Sequence, residues 1–505
     1  MSRADRIALI LSLISSLVAY YVTINYFEAL PHLEDEIAYV WQARVIADGK
    51  LTVDSPPQAE SFLVPFVVDH NGLRFGKYPP GWPIVLALGV KFGIRSLINP
   101  LLAGLGVWLT YRLGKKIFGE TVGIIAAVLT LTSPFFLMNS GSLLSHSFGL
   151  VLSAAFTLAW IDTFTEQTNP RRWLSTVVAG MTLGVLVLTR PLTALAVAFP
   201  FALHGIYLLI RKDWQTRKQV LAVGAIALGI GALIFLWQYA VTGDAFLNPY
   251  TLWWEYDKFG FGPGYGVTEN GHSLRLARIN TKFSLGVGYG DLFGWLKYSW
   301  IFLPFGILTV ALRRNWRGLL VSTVFPSLVI FYAAYWVGAW LFGPRYYYEG
   351  LFSLTLLSGA GIAWLAGWPV LPDEEWRTYA GWNRIRPLAV LAFVFILVAG
   401  NLVYYTPLRL SSLRGLYGME KSDLKPFLSE QARELTPALI VVHPPNWMEY
   451  GVLLDLQTPQ LDSPFIFIFS RDRESDEALR AEFPERNFYH YYPSEPFIFF
   501  KSPKP

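Results

Sequence analysis

Residues 121–161, TVGIIAAVLTLTSPFFLMNSGSLLSHSFGLVLSAAFTLAWI, run for 41 positions without one charged side chain. An α-helix crosses about 30 Å of hydrocarbon with roughly 20 apolar residues, and at that depth only a helix pairs its own backbone N–H and C=O groups. The segment is thus long enough for two crossings around a polar turn. Seven further apolar stretches of the same character lie on either side of it. A water-soluble core does not need so many, and the pattern predicts an all-α polytopic membrane protein.

The rest of the composition agrees. Of 505 residues, 53% are hydrophobic and only 15% charged, against about a quarter charged in soluble domains. Mean hydropathy is +0.38. The 19 Trp, 26 Tyr and 36 Phe suit interfacial anchoring. Cysteine is absent, which excludes disulfides, thiolate metal sites and cysteine nucleophiles. The net charge of +5 comes from short basic clusters between apolar runs, so it is no nucleic-acid footprint. The first apolar run, 7–27, carries no small-residue cleavage site and reads as a retained helix.

The basic clusters set a topology. Arg3 and Arg6, Arg112 to Lys116, Arg171 and Arg172, Arg211 to Lys218, and Arg313 to Arg317 occupy alternate connections, and the positive-inside bias puts them in the cytoplasm. About eleven crossings follow, at 7–27, 97–113, 119–138, 142–164, 173–190, 191–210, 219–241, 296–312, 318–341, 350–368 and 387–405, or about twelve if 79–95 also spans. We read 79–95 as a partly embedded helix joined to the second crossing. The expectation is a multi-pass protein of the plasma or inner membrane with its C-terminus outside.

Three pieces then face outward: an acidic loop at 28–78, a Gly- and aromatic-rich loop at 242–295 that reads as irregular, and 406–505 beyond a transmembrane domain of 1–405. The last contains β-like runs at Ala438 to Val442, Phe465 to Phe469 and Phe497 to Lys501, with a charged helical stretch from Arg471 to Phe483. A small extracytoplasmic α/β domain is the expectation.

Within the first loop, Asp35 and Glu36 open a segment whose Ile37, Trp41 and Val45 recur every four residues, the pattern of a short amphipathic helix on the membrane surface. The acids have two readings. They cap the helix and complement its dipole, or a carboxylate there serves as general base toward a hydroxyl. Lys77 and Tyr78 precede Pro79 and Pro80 at the end of the same loop, and Arg345, followed by Tyr346, is the only arginine between Gly318 and Leu371. An arginine in that turn can hold a phosphate through two parallel hydrogen bonds; an ordinary interfacial lysine and a snorkelling arginine are the plainer readings.

Together, Asp35-Glu36 with Tyr39, Ala43 and Gly49, then Lys77-Tyr78-Pro79-Pro80, Thr189-Arg190-Pro191 and Gly343-Pro344-Arg345-Tyr346 resemble the multi-spanning C-type (GT-C) glycosyltransferases. The pattern is similar to bacterial protein O-mannosyltransferases and lipid A aminoarabinose transferases, which take sugar from a polyprenyl-phosphate carrier. The resemblance covers about residues 1–405. It implies that Asp35 is the catalytic carboxylate with Glu36 beside it, and that Lys77 and Arg345 are contacts for the carrier phosphate; Arg190 is a further candidate cation for it, and Tyr78 and Tyr346 are candidate substrate-binding residues. Many relatives place a second acid where this chain has Asn139 to Ser147, so His146 is a candidate for that polar role, or a histidine bonded between helices. His272, in the large loop, is a further candidate substrate contact.

The implied reaction is an inverting transfer of a sugar from polyprenyl phosphate to a hydroxyl acceptor, on lipid, glycan or protein, at the outer face. The carrier phosphate is already a good leaving group, so the site needs cations for it and a base for the acceptor. No cofactor is required; the acidic pair could hold a divalent metal ion. Partners are the lipid-linked donor, membrane lipids and the acceptor, with no nucleic acid and, lacking a phosphate-cradling Gly-rich loop, no nucleotide. The alternatives are a flippase or transporter of lipid-linked saccharides, which would place ionisable groups at the bilayer midplane, and an oligosaccharide ligase or polymerase.

Overall fold

The computed structural model describes residues 1–165, 171–374 and 385–504. Apolar helices dominate it. The first, Arg3–Asn25, turns its small residues Ala8, Ser12, Ser15 and Ala19 inward, where they meet Arg95–Phe118. A Cβ on Gly104 of that partner would fall 2.3 Å from Ser16 Oγ, so the two backbones touch through small side chains, as helices do where lipid gives no hydrophobic drive to associate. Ile10, Leu13, Leu17 and Tyr21 on the opposite face are exposed, and so is most of Ile385–Gly400, which buries no residue. Such contiguous apolar surface needs a lipid solvent.

Among the described residues seven helices are long and apolar enough to cross a membrane, or nine if each of two bent pairs is one span. The difference from the sequence count has local causes. The expected crossing at 119–138 is Glu120–Leu131 followed by Pro134–Gly141, bent by 60°, because Ser133 caps a new helix with Pro134 at its first position. The one at 318–341 is two short helices, Trp316–Ser322 and Val324–Tyr332. Residues 79–95 hold the short helix Gly81–Lys91.

The acidic loop carries the helix Glu34–Ala47 and a three-stranded antiparallel sheet of Val53–Asp54, Leu73–Gly76 and Val67–His70. The helix is not a surface helix: none of its residues is exposed. Ile37, Trp41 and Val45, the stripe seen in the sequence, pack with Met419, Tyr450 and Leu453 of the C-terminal segment. Ala38, Tyr39, Val40 and Ala43 pack against the helical body. It is an interlayer between the helices and the C-terminal domain, fixed by Asp455, which takes a bidentate pair from Arg95 at 2.6 and 2.7 Å and a contact from Arg44 at 3.1 Å.

The C-terminal domain has a parallel sheet ordered Phe465–Phe469, Ala438–Val442, Asn487–Tyr491, with the helix Arg473–Glu482. Its third strand is Asn487–Tyr491, not the expected 497–501, which contributes only the bridge from Phe500 to His490. The 242–295 region is also more regular than expected, because Leu274–Asp291 is an 18-residue helix capped by Ser273.

Candidate functional site

Four connections distant in sequence meet around one cavity of about 340 Å³. The helix Glu34–Ala47 presents Asp35, the end of the strand Leu73–Gly76 runs into Lys77 and Tyr78, the turn between Arg172–Thr189 and Pro191–Arg211 brings Arg190, and the turn before Leu351–Ala366 brings Arg345 and Tyr346. Two glycines allow the approach. A Cβ at Gly81 would lie 2.5 Å from Thr189 Oγ1, and one at Gly149 would lie 2.7 Å from Glu349 Oε1. The lysine turn therefore seats directly on the Arg190 turn, and Glu349 reaches past Gly149.

Every cation in the cavity faces a carboxylate. Arg345 Nη2 is 3.1 Å from Asp35 Oδ2, and the Tyr78 hydroxyl donates to Asp35 Oδ1. Burial alone would raise the Asp35 pKa, but Arg345, the Tyr78 hydrogen bond, Lys77 and Arg190 outweigh it and bring the carboxyl below its ordinary range. Its neighbour Glu34, also in the cavity wall, is raised by burial and by Asp35. Lys77 Nζ lies 3.0 Å from Asp257 Oδ2, and both side chains are almost wholly enclosed. Phe66 covers the ammonium at 3.8 Å, with Tyr250 and Trp254 at 5.0 Å. Desolvation lowers the Lys77 pKa while Asp257 opposes it. Tyr335 and Trp336 donate to Asp257 Oδ1 at 2.8 and 3.2 Å.

Arg190 spends its guanidinium on Glu349 at 3.1 Å, Ser145 at 3.1 Å and the Tyr332 hydroxyl at 3.1 Å. Arg345 differs, because its Nη1 is buried and carries no hydrogen bond. That buried nitrogen is a cationic donor beside the cavity that has no acceptor. Tyr346 stacks on Tyr332 with centroids 4.9 Å apart at 16°, so the wall beside Arg345 is a stiff aromatic face.

The acidic pair divides between its two readings. Asp35 faces the cavity. Glu36 turns away from it and is 1% exposed, accepting the N–H groups of His32 at 2.8 Å, Leu33 at 3.0 Å and Leu143 at 2.6 Å. Those three bonds cap the helix and tie the first loop to the 142–144 turn, and burial lifts the carboxyl to about 7 against them. Glu36 thus lies outside the catalytic position that the resemblance gave it as neighbour of Asp35. The acids that adjoin the cavity are Glu34 and Asp35, and these, not Asp35 with Glu36, are the adjacent oxygens a metal ion there would meet.

The two histidines also sit off the cavity wall. His146 is buried behind it, its Nδ1 3.1 Å from Glu349 Oε1, which makes it the interhelical histidine of the plainer reading. His272 stacks on Phe261 at 5.1 Å and its Nε2 lies 2.9 Å from the Ala333 carbonyl. It fastens the glycine-rich loop to the segment bearing Tyr335 and Trp336. Asp257 and Glu349 escaped the sequence reading. Asp257 sits among Glu255 and Lys258 as in any charged loop, whereas Glu349, the lone acid of the 54 residues that hold Arg345, carried a signal that could have been used.

Residues 81–237 match the family described as dolichyl-phosphate-mannose-protein mannosyltransferase. No curated protein matches the chain at the level of sequence. Among solved structures, ArnT from Cupriavidus metallidurans bound to undecaprenyl phosphate superposes with a TM-score of 0.59 at 14% identity, over 94% of this chain and 88% of that one. The same protein in its apo state gives 0.56 at 13% identity, with the same shares of 94% and 88%. The archaeal oligosaccharyltransferase AglB from Archaeoglobus fulgidus, in complex with an inhibitory peptide and a dolichol-phosphate, gives 0.50 at 13% identity, over 92% of this chain and 61% of that one. The chain has the fold of the GT-C glycosyltransferases.

Proposed function

We propose that this protein is a membrane glycosyltransferase that moves a sugar, with inversion, from a polyprenyl-phosphate carrier to a hydroxyl acceptor on the outer face of the membrane. The observation that carries the reading is the convergence of Asp35, Arg345, Lys77 and Arg190 on one cavity, from four connections that only the fold brings together. The carriers named for the similar structures, undecaprenyl phosphate and dolichol-phosphate, support a lipid phosphate as the group those cations meet.

The ion pairs rank the cations. Lys77 is neutralised by Asp257 and Arg190 by Glu349, so both shape the field with their charge already balanced. Arg345 takes the phosphate through its unpartnered Nη1 and, as the anion competes, through the Nη2 that Asp35 holds in the resting site. Binding of the donor thus loosens Asp35 and makes it a stronger base. The acceptor oxygen attacks the anomeric carbon as its proton passes to Asp35. The bond from that carbon to the phosphate oxygen breaks on the opposite side, and the electron pair leaves on the carrier phosphate beside Arg345. The ionisable groups lining this cavity, Glu34, Asp35, Lys77, Arg190 and Arg345, come from connections and helix ends and not from the middles of crossings, which favours this chemistry over a transporter.

The test is turnover by purified protein of a panel of radiolabelled polyprenyl-phosphate sugars, with Asp35→Asn as control. The amide keeps the shape but accepts no proton, so transfer should be lost while the variant inserts and folds. Activity within about threefold of wild type, under roughly 1 kcal/mol of barrier, removes Asp35 as base.

A further inference from the structure

Away from the cavity, three residues of the C-terminal domain bring their side chains together. His443 directly follows the central strand Ala438–Val442, His490 lies near the end of the neighbouring parallel strand Asn487–Tyr491, and Asp476 is on the helix Arg473–Glu482. One donor atom from each lies within 4.8 Å of the others. The position follows from topology. The chain leaves the central strand toward Phe465–Phe469 on one side and returns to Asn487–Tyr491 on the other, and the carboxyl ends of strands at such a reversal form the crevice where parallel sheets bind ligands.

The polar groups there are incompletely satisfied. His443 Nε2 and His490 Nδ1 are 2.9 Å apart, so only one of the two nitrogens carries the shared proton. Asp476 is 2% exposed; its Oδ2 accepts from Ser470 Oγ at 2.8 Å, while its Oδ1 is buried with no partner at all. A carboxylate oxygen sequestered without a donor costs folding energy. A cation at this point would pair with that oxygen and with both imidazoles at once.

We propose that His443, His490 and Asp476 bind one divalent transition-metal ion of the zinc class, which staples the helix Arg473–Glu482 to the ends of two strands. Two imidazoles with one carboxylate and no thiolate suit Zn²⁺, whereas Mg²⁺ and Ca²⁺ prefer all-oxygen shells. Ligand atoms on a tetrahedral zinc lie about 3.3 Å apart when its bonds are near 2.05 Å; the imidazole nitrogens, 2.9 Å apart, are near that spacing, and the Asp476 carboxylate, within 4.8 Å of them, would close on the ion. Ser470 orients the carboxylate from behind, and Tyr492 stacks on the His443 ring at 4.6 Å and 11°, the kind of outer support that metal ligands have. His443 is half-buried, which leaves the fourth position to water.

The experiment uses the full chain in detergent with any affinity tag removed, stripped with EDTA and then given ZnCl2, MgCl2 or CoCl2. Expected are one zinc per chain by elemental analysis, a rise in thermal midpoint with Zn²⁺ but not Mg²⁺, and the intense visible bands of low-coordinate Co²⁺. His443→Ala, a change at a half-exposed site, and Asp476→Asn should each weaken zinc binding on the order of 10- to 100-fold. Their midpoints should fall short of wild type only when zinc is present. Loss of all zinc on desalting from wild type, unaltered affinity in both variants, or a stability deficit that is the same in EDTA as in zinc would overturn the site and leave a hydrogen-bonded histidine pair.

Discussion

Replacing Arg345 by alanine removes the cation whose Nη1 has no partner and whose Nη2 holds Asp35 at 3.1 Å. Two charge-assisted hydrogen bonds to a phosphate contribute about 1.5–3 kcal/mol each. One of them replaces the existing bond to Asp35, so the net loss in transition-state stabilisation should be about 1.5–3 kcal/mol, roughly 10- to 150-fold in kcat/KM for the lipid donor. Lysine at the same position should lose less, since it keeps the charge without the planar fork. A second signature separates this from a packing defect. Burial acts to raise the Asp35 pKa, and Arg345 is the foremost of the groups that lower it. Without Arg345 the carboxyl should titrate higher. Transfer needs the ionised form and is lost as pH falls through that pKa, so the acid limb of kcat/KM should move to higher pH in Arg345→Ala. The assay is initial-rate transfer from a radiolabelled donor at fixed acceptor across the acid range. Donor kcat/KM within about threefold of wild type, about 0.7 kcal/mol, together with an unmoved acid limb would refute the assignment.

The other pairs make different predictions. Lys77→Met strands the enclosed Asp257 carboxylate, which should cost about 3–5 kcal/mol and lower the thermal midpoint in detergent, and adding Asp257→Leu should restore part of it; a stable single variant altered only in donor KM would show Lys77 to be a phosphate ligand instead. Glu36→Ala leaves three buried N–H groups without an acceptor at about 1–3 kcal/mol each, so yield and thermal stability should drop while the folded fraction keeps its kcat, a result that a catalytic Glu36 would contradict. Asp455→Ala removes the ion pairs to Arg44 and Arg95 and should speed proteolytic release of the C-terminal domain, read on a gel time course; unchanged cleavage would mean that the apolar interlayer and the remaining hydrogen bonds, among them those from Arg44 to the Leu454, Asp455 and Gln457 carbonyls, hold it without Asp455.

Much of this was legible from the chain because the bilayer imposes a compositional rule: a stretch such as 121–161 cannot be anything but spanning or deeply buried. Asp35, Lys77 and Arg345 stood out for the same reason, as charges bordering apolar runs, and Arg190 through the family resemblance. The counter-ions of Lys77 and Arg190 did not. Asp257 becomes distinctive only when Lys77, Tyr335 and Trp336 close around it, and those contacts span three connections. Periodicity found the Ile37, Trp41, Val45 stripe of Glu34–Ala47 but not its partner, because Ala38 and Ala43, small enough to pack closely, carry no hydrophobic signal of their own. In the C-terminal domain both 487–491 and 497–501 are aromatic-rich, and only pairing to Ala438–Val442 selects the first as the strand.

The resting cavity is close to charge-balanced, and that bears on how a lipid phosphate could be both held and released. A site of three bare arginines and lysines would bind the product carrier as tightly as the donor, since both end in a phosphate. Here Lys77 and Arg190 are already committed to Asp257 and Glu349, so in the proposed mechanism a phosphate would gain mainly from Arg345 and would have to displace Asp35 to gain fully. When the sugar departs, Asp35 would have taken the acceptor proton and would no longer compete for Arg345. Once that proton is lost to solvent the carboxylate reclaims the guanidinium at 3.1 Å and weakens the hold on the spent carrier. One ion pair would then serve in turn as phosphate ligand, base regulator and release step, which places the functional weight on the Asp35–Arg345 contact over either residue alone.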